Sequence, residues 1–286
     1  MALIGSAIFF LISIFFFSFL AWDYPLLSPD EPRYAETARE MLASGNFIIP
    51  YLDGIPRLVK PVLFYWLDAL SLKVFGLNEF AARFPSIVAA SGLVSLAFLF
   101  GALNRIGILT AIITMTSLGI FIASKLAITD MLLNFFITAA LVFFYLGFDQ
   151  TNYKKMGEGY HDHKFSVWVI LSIVMMGLGF LTKGPIAFVI PLSIISIFLF
   201  FKADILIFLR TFIMEIGLGI FLAFIINIPW YCLVHIATNG EFTSQFFFDD
   251  NLSRFIKPHT GHSAPFWFYI PVIIAGLFPW SFFLVQ

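Results

Sequence analysis

Residues 3–22 contain no charged side chain, and seven further stretches, 86–104, 107–125, 128–148, 166–183, 185–201, 209–235 and 265–286, are apolar along most of their length. A helix needs about 20 mostly apolar residues to cross a bilayer core. On that ruler the chain predicts about eight transmembrane helices. Hydrophobic residues make up 60% of the chain and charged residues 12%, against about half and about a quarter in a soluble domain. The expected fold class is therefore an all-α, polytopic membrane helix bundle. The first stretch lacks a basic n-region and a small-residue cleavage site before Trp22, so it reads as a span and not as a signal peptide. Lys183-Gly184-Pro185 predicts a tight turn between the fifth and sixth spans, and Pro229 a kink or end in the seventh.

The net charge of −1 and the absence of a clustered basic surface exclude a nucleic-acid partner. Cys232 stands alone, so no disulfide framework or thiolate metal site is expected within the chain.

Lys and Arg in short loops set orientation. With a cytoplasmic N-terminus, the inner loops hold Arg105, Lys154, Lys155, Lys164, Lys202 and Arg210, against Lys125 and Lys183 outside. That bias places both long loops, 23–85 and 236–264, on the outer face with the turns at 125–130 and 183–185. Every candidate functional residue then lies on one side of the membrane.

Within the first loop, Ala35, Ala38, Met41 and Leu42 recur at helical spacing, which predicts an amphipathic helix over 31–43 closed by Ser44-Gly45. Asp30, Arg33, Tyr34 and Thr37 would share its other face. A second helix, 61–75, would begin at Pro61, end at Gly76 and lie in the interfacial zone with Tyr65 and Trp66 at headgroup depth.

Carboxylates and cations gathered outside an apolar scaffold suit transfer of a group from a phosphate-bearing lipid. Such chemistry needs a carboxylate to accept the proton of an incoming hydroxyl and cations to neutralise the departing phosphate. Asp30 is the candidate base, with Glu31 in reserve; alternatively Asp30 caps the helix, or Ser28 and Glu31 form a capping box that releases it. Asp130 opens an apolar span, where an ionisable residue is a functional candidate, and Lys125 or Lys183 is its expected partner. Arg33 and Lys60 are candidate phosphate cations or headgroup anchors, and Lys183 a phosphate contact or a snorkelling lysine. The second loop offers Asp249, Asp250, Arg254, Lys257, His259 and His262; of these Arg254 is the expected phosphate contact. The pairs His161/His163 and His259/His262 lack the third and fourth ligands that zinc usually takes, so no metal and no cofactor is expected.

These residues form a pattern. Asp30-Glu31-Pro32-Arg33-Tyr34-Ala35-Glu36-Thr37, Ser44-Gly45-Asn46-Phe47, Lys60-Pro61-Val62-Leu63-Phe64-Tyr65-Trp66 and Phe75-Gly76-Leu77-Asn78-Glu79 strongly resemble the start of the bacterial aminoarabinose lipid A transferases. These belong with the protein O-mannosyltransferases in the C-type glycosyltransferase fold. Thr129-Asp130, Leu181-Thr182-Lys183-Gly184-Pro185 and the run from Arg254 to Pro265 extend the likeness over nearly the whole chain. The resemblance implies an inner-membrane enzyme with its site on the periplasmic face, which moves a sugar from a polyprenyl phosphate to lipid A, another envelope glycolipid or a protein hydroxyl, among membrane lipids. It implies Asp30 as base, Asp130 as a second acid, and Arg33, Lys60 and Lys183 as contacts to the donor phosphate; Tyr34 is a further expected substrate contact. Zinc-binding members place a Glu directly before the Lys-Pro, where this chain has Val59. The family also continues beyond the position of Gln286, so residues 1–286 are expected to be one transmembrane glycosyltransferase domain, truncated at its C-terminus. A lipid flippase, or an inactive remnant acting as an assembly partner, are the alternatives; the absence of a visible repeat and the clustering of charge at one face disfavour the flippase.

Overall fold

The computed structural model describes residues 2–148, 167–202, 217–253 and 265–284. The chain divides into two compact units, Met1–Phe135 with Tyr231–Gln286, and Phe136–Trp230.

In the first unit, α1 (Ala2–Ser18) packs along α4 (Glu79–Ala102). Small residues bring the two axes together: a Cβ at Gly5 would collide with the Phe98 ring, and the Ser6 and Ser95 hydroxyls lie 2.6 Å apart. Close approach through small and hydroxylated residues is the packing expected where lipid removes the hydrophobic drive for association.

The first loop folds onto the N-terminal end of α4. It contributes α2 (Asp30–Ser44) and α3 (Leu63–Phe75), joined through a hairpin of β1 (Tyr51–Leu52) and β2 (Ile55–Pro56). Gly45, with φ of 70°, closes α2 at the expected place. The hairpin corrects the all-α expectation. Asp53 and Gly54 both have positive φ, 54° and 74°, as a two-residue primed turn requires, and Tyr51 pairs with Pro56 and Leu52 with Ile55.

The buried face of α2 also differs from expectation. It consists of Glu31, Tyr34, Thr37, Ala38 and Met41, so Tyr34 and Thr37 turn inward while Asp30 and Arg33 stay exposed. Ala38 packs with Ala69, Leu72 and Ala81, which lets α2, α3 and α4 meet closely. Pro85 lies inside α4 and has no N–H to offer the Ala81 carbonyl. The Ser71 hydroxyl of α3 takes that acceptor at 2.5 Å. A helix defect thus becomes a tie between two helices.

After α4, the chain forms α5 (Gly107–Thr116) and α6 (Leu118–Ser124), bent from one another by 63° at Ser117. The backbone group freed at the bend is satisfied by the C-terminal segment: Leu118 N donates to the Phe278 carbonyl at 2.9 Å, and the Trp280 indole to Thr116 Oγ1 at 2.8 Å. That segment corrects the last predicted span. In place of one helix over 265–286 there is a 3₁₀ turn at Phe266–Phe268, an eight-residue α-helix at Tyr269–Gly276, and another 3₁₀ turn at Trp280–Phe283. Pro279 cannot continue a helix, and eight residues are too few to cross a bilayer.

α7 (Thr129–Gly147) begins in the first unit and ends in the second, which also holds α8 (Val167–Lys183) and α9 (Ile186–Lys202). Gly184, at φ of 82°, makes the predicted turn between them. Phe144, Phe148, Met176, Ile195 and Leu199 form the core of this unit, and Ser172 donates to the Ala140 carbonyl at 2.7 Å. α10 (Gly217–Ala237) runs through Pro229, which therefore does not end it.

Among the described residues, α4 and α7 are long and apolar enough to cross a membrane, and α5–α6 makes a third if the bent pair counts as one span. The helices Ala2–Ser18, Val167–Lys183, Ile186–Phe201 and Phe224–Ala237 are apolar but shorter.

Candidate functional site

Two neighbouring carboxylates at the start of α2 have opposite surroundings. Glu31 is 1% exposed. Its Oε1 accepts from Arg83 Nε at 3.0 Å and Ala127 N at 2.8 Å, and its Oε2 from Leu27 N at 2.7 Å and Arg83 Nη2 at 3.0 Å. Arg83 is fully buried, donates also to the carbonyls of Ala21, Tyr24 and Pro25, and lies 3.8 Å from the Tyr24 ring centroid. Glu31 is thus an anchor that ties the loop start and the approach to Asp130 onto α4. With four donors on its oxygens it is poorly placed to accept a substrate proton.

Asp30 is different. Its side chain is 66% exposed, with Arg33 Nη1 at 4.0 Å. Pro29 occupies the N-cap of α2, and no side chain caps that end. The capping role weighed for Asp30 is therefore not the one it has.

Tyr34, 6% exposed, is the common neighbour of the groups around it. Its ring stacks on Tyr65 at 5.5 Å and meets Phe64 edge-on at 5.4 Å. The Thr129 side chain and the charges of Arg57, Asp130 and Asp30 all act on its phenol. Burial is the main cause of its raised pKa. Asp130 is exposed at the second position of α7, directly after buried Thr129. Lys60 is half-buried on the segment between β2 and α3.

Arg57 went unnoticed in the sequence. It follows β2, its own N–H donates to Pro50 O at 2.8 Å, and its Nε donates to Tyr65 Oη at 3.0 Å. The guanidinium carbon lies 5.3 Å from the Tyr34 centroid. Two tyrosines thus orient the fork while its terminal nitrogens face no carboxylate among the described ion pairs. Such a guanidinium suits a bidentate anion. The Asp53-Gly54 turn was the available signal, since it positions the residue that follows the hairpin.

Lys125 is not where the sequence suggested. Its ammonium donates to the Phe19 carbonyl and sits 4.6 Å above the Phe121 ring. Burial and then the charge of Arg83 lower its pKa, against a smaller raising effect of Asp23. Lys183 is the half-buried last residue of α8, in the second unit. Arg254, Lys257, His259, His262 and the pair His161/His163 lie outside the described residues.

A cavity of about 480 Å³ opens on the other side of α2, beside Pro32, Ala35, Glu36 and Arg39. None of Asp30, Tyr34, Arg57 or Asp130 lines it. Glu36, Glu40 and Asp53 bring carboxylate oxygens within 4.8 Å of one another. Arg39 already binds Glu36 through two bonds, and Glu40 receives the Gly54 N–H at 3.3 Å, so this group is accounted for as the brace of the hairpin.

Buried Tyr34, on whose phenol the charges of exposed Asp30 and Asp130 act and beside which the Arg57 guanidinium is held, thus belongs to the first unit of a helical membrane protein. The chain belongs to the dolichyl-phosphate-mannose-protein mannosyltransferase family, which it matches over residues 1–240. It is 32% identical over 271 residues to the undecaprenyl phosphate-alpha-4-amino-4-deoxy-L-arabinose arabinosyl transferase of Aeromonas hydrophila subsp. hydrophila, covering 93% of this chain and 47% of the relative. The protein of that name from Pectobacterium carotovorum subsp. carotovorum is 33% identical over 260 residues, covering 89% and 44%. The chain spans about half the length of the curated relatives it matches. Its fold is that of ArnT from Cupriavidus metallidurans: the apo crystal structure superposes with a TM-score of 0.80 at 23% identity over 100% of this chain and 50% of that one. The undecaprenyl phosphate-bound structure gives 0.79 at 24% identity over 98% and 50%.

Proposed function

We propose that the chain carries the donor-side machinery of a glycosyltransferase that moves a sugar from a polyprenyl phosphate to an envelope acceptor. The named relatives suggest undecaprenyl phosphate-linked 4-amino-4-deoxy-L-arabinose as the donor type; lipid A, another glycolipid or a protein hydroxyl is proposed as the acceptor on the sequence resemblance. The observation that carries the reading is the Arg57 guanidinium held by Tyr34 and Tyr65, with the charges of Asp30 and Asp130 acting on the same Tyr34.

In this proposal Asp30, exposed and uncapped, accepts the proton of the acceptor hydroxyl as the new bond forms at the anomeric carbon. The bond from that carbon to the phosphate oxygen breaks, and the phosphate leaves with the electron pair. Inversion by single displacement follows. Arg57, Arg33 and Lys60 offset the charge that develops on the phosphate, and Asp130 is the second acid of the site. Lys183 and Arg254 are proposed as donor contacts on the sequence resemblance alone.

The proposed setting is a bacterial inner membrane, with the N-terminus cytoplasmic and the loops 23–85 and 236–264 periplasmic. Residues 1–286 form one transmembrane glycosyltransferase domain in this reading, crossing at α1, α4, α5–α6, α7, α8, α9 and α10. The test uses membranes containing the chain, given a radiolabelled undecaprenyl-phosphate sugar. Transfer is expected, and Asp30→Asn should lower it by about a hundredfold or more at unchanged protein level. Equal transfer by both proteins would remove Asp30 from the reaction.

A further inference from the structure

Asp68 lies in the middle of the buried face of α3, one turn beyond Tyr65 and one turn before Leu72. It is fully buried, and neither of its carboxyl oxygens has a hydrogen-bond partner. A charged carboxylate in that position would be strongly disfavoured, so the group is held as a neutral acid. Burial raises its pKa well above the ordinary carboxylate range.

The surrounding ionisable groups leave it in that state. The elements packed on α3 carry Glu31 and Tyr34 from α2 and Arg83 from α4 into the interior, with Arg57 and Lys60 on the segment leading into α3. Glu31 and Arg83 saturate one another. Tyr34 is engaged by Tyr65 and Thr129. Tyr65 lies between the two: it precedes Asp68 by one turn on the same buried face of α3, and its hydroxyl receives the Arg57 Nε–H at 3.0 Å.

We propose that Asp68 is a positioning residue for the anion subsite at Arg57. As a neutral acid behind Tyr65 it leaves the guanidinium charge to a bound phosphate; ionised, it opposes that phosphate through the same tyrosine. The inference rests on the polyprenyl-phosphate reading of the site. It gives the donor subsite an alkaline limit set by a carboxyl, because guanidinium groups are not deprotonated in proteins.

The experiment uses the full chain in lipid nanodiscs and two readouts over a neutral-to-alkaline series: the infrared band of a protonated carboxyl, and affinity for undecaprenyl phosphate. Ionisation of the lipid phosphate affects every variant alike. The wild type should show a protonated carboxyl at neutral pH that Asp68→Asn lacks. Wild-type affinity should fall about tenfold as that band disappears, the effect of roughly 1.4 kcal/mol, while Asp68→Asn stays level. Asp68→Leu replaces it if the Asn variant does not accumulate. Parallel pH profiles in wild type and variant, or no Asp68 band at neutral pH, would overturn the assignment. Loss of the band as expected, with no undecaprenyl phosphate bound at any pH, would instead overturn the polyprenyl-phosphate reading and the coupling with it.

Discussion

Asp30 and Glu31 are adjacent in sequence, yet one faces solvent and the other is sealed against Arg83, so substitutions there should separate chemistry from folding. Breaking a buried pair leaves an uncompensated charge and costs about 3–5 kcal/mol. Arg83→Met is accordingly expected to lower thermal stability and protein level, in contrast to Asp30→Asn, which should melt like the wild type. Scanning calorimetry on the two variants checks this. Asp68 gives the opposite sign. Its folded-state pKa is raised, so the folded chain holds a proton that the unfolded chain releases above the usual carboxylate pKa, and stability falls as pH rises from there toward the folded value. Asp68→Leu should flatten that slope and, at neutral pH, stabilise the protein by about 1–3 kcal/mol; melting curves across pH report it. The sequence led to Asp30, Tyr34 and Asp130 through their motif positions, but Tyr34 was placed on the solvent face. A reading that gives alanines the buried stripe of α2 cannot see that a tyrosine and a threonine are wanted inside, where Tyr34 stacks on Tyr65 and the Thr37 hydroxyl donates to the Arg33 carbonyl at 2.8 Å.

At the scale of elements, punctuation residues were the legible part. Gly45 ends α2, Gly76 follows α3 and Gly184 turns α8 into α9, each at positive φ. The hairpin was missed because its strands have two residues each, too short for an alternating pattern to register, although Asp53-Gly54 marks it. The segment 265–286 misled for another reason: hydropathy does not distinguish a continuous span from a short helix broken at Pro279 and docked on the α5–α6 bend. The hairpin carries a consequence for binding. Gly54 is at φ of 74°, and a β-branched residue there should cost about 1–2 kcal/mol or more and displace Arg57 from Tyr65. Gly54→Val is expected to raise KM for the donor several-fold with a smaller effect on kcat, measured by steady-state transfer.

For the whole molecule, composition was enough to establish a helical membrane protein, and the family match over residues 1–240 agrees with it. What composition could not supply was the arrangement of charge above the helices, since Arg57 and Arg83 look alike as isolated cations. One is buried in a lattice of carbonyls and Glu31, and the other is held by tyrosines. The most direct test is a cryo-electron microscopy structure of the full chain in nanodiscs with undecaprenyl phosphate. The phosphate is predicted within hydrogen-bond reach of Arg57, on the Tyr34 side of α2 and close to Asp30. A phosphate seated instead in the cavity beside Pro32, Ala35 and Arg39, with Arg57 untouched, would contradict the account.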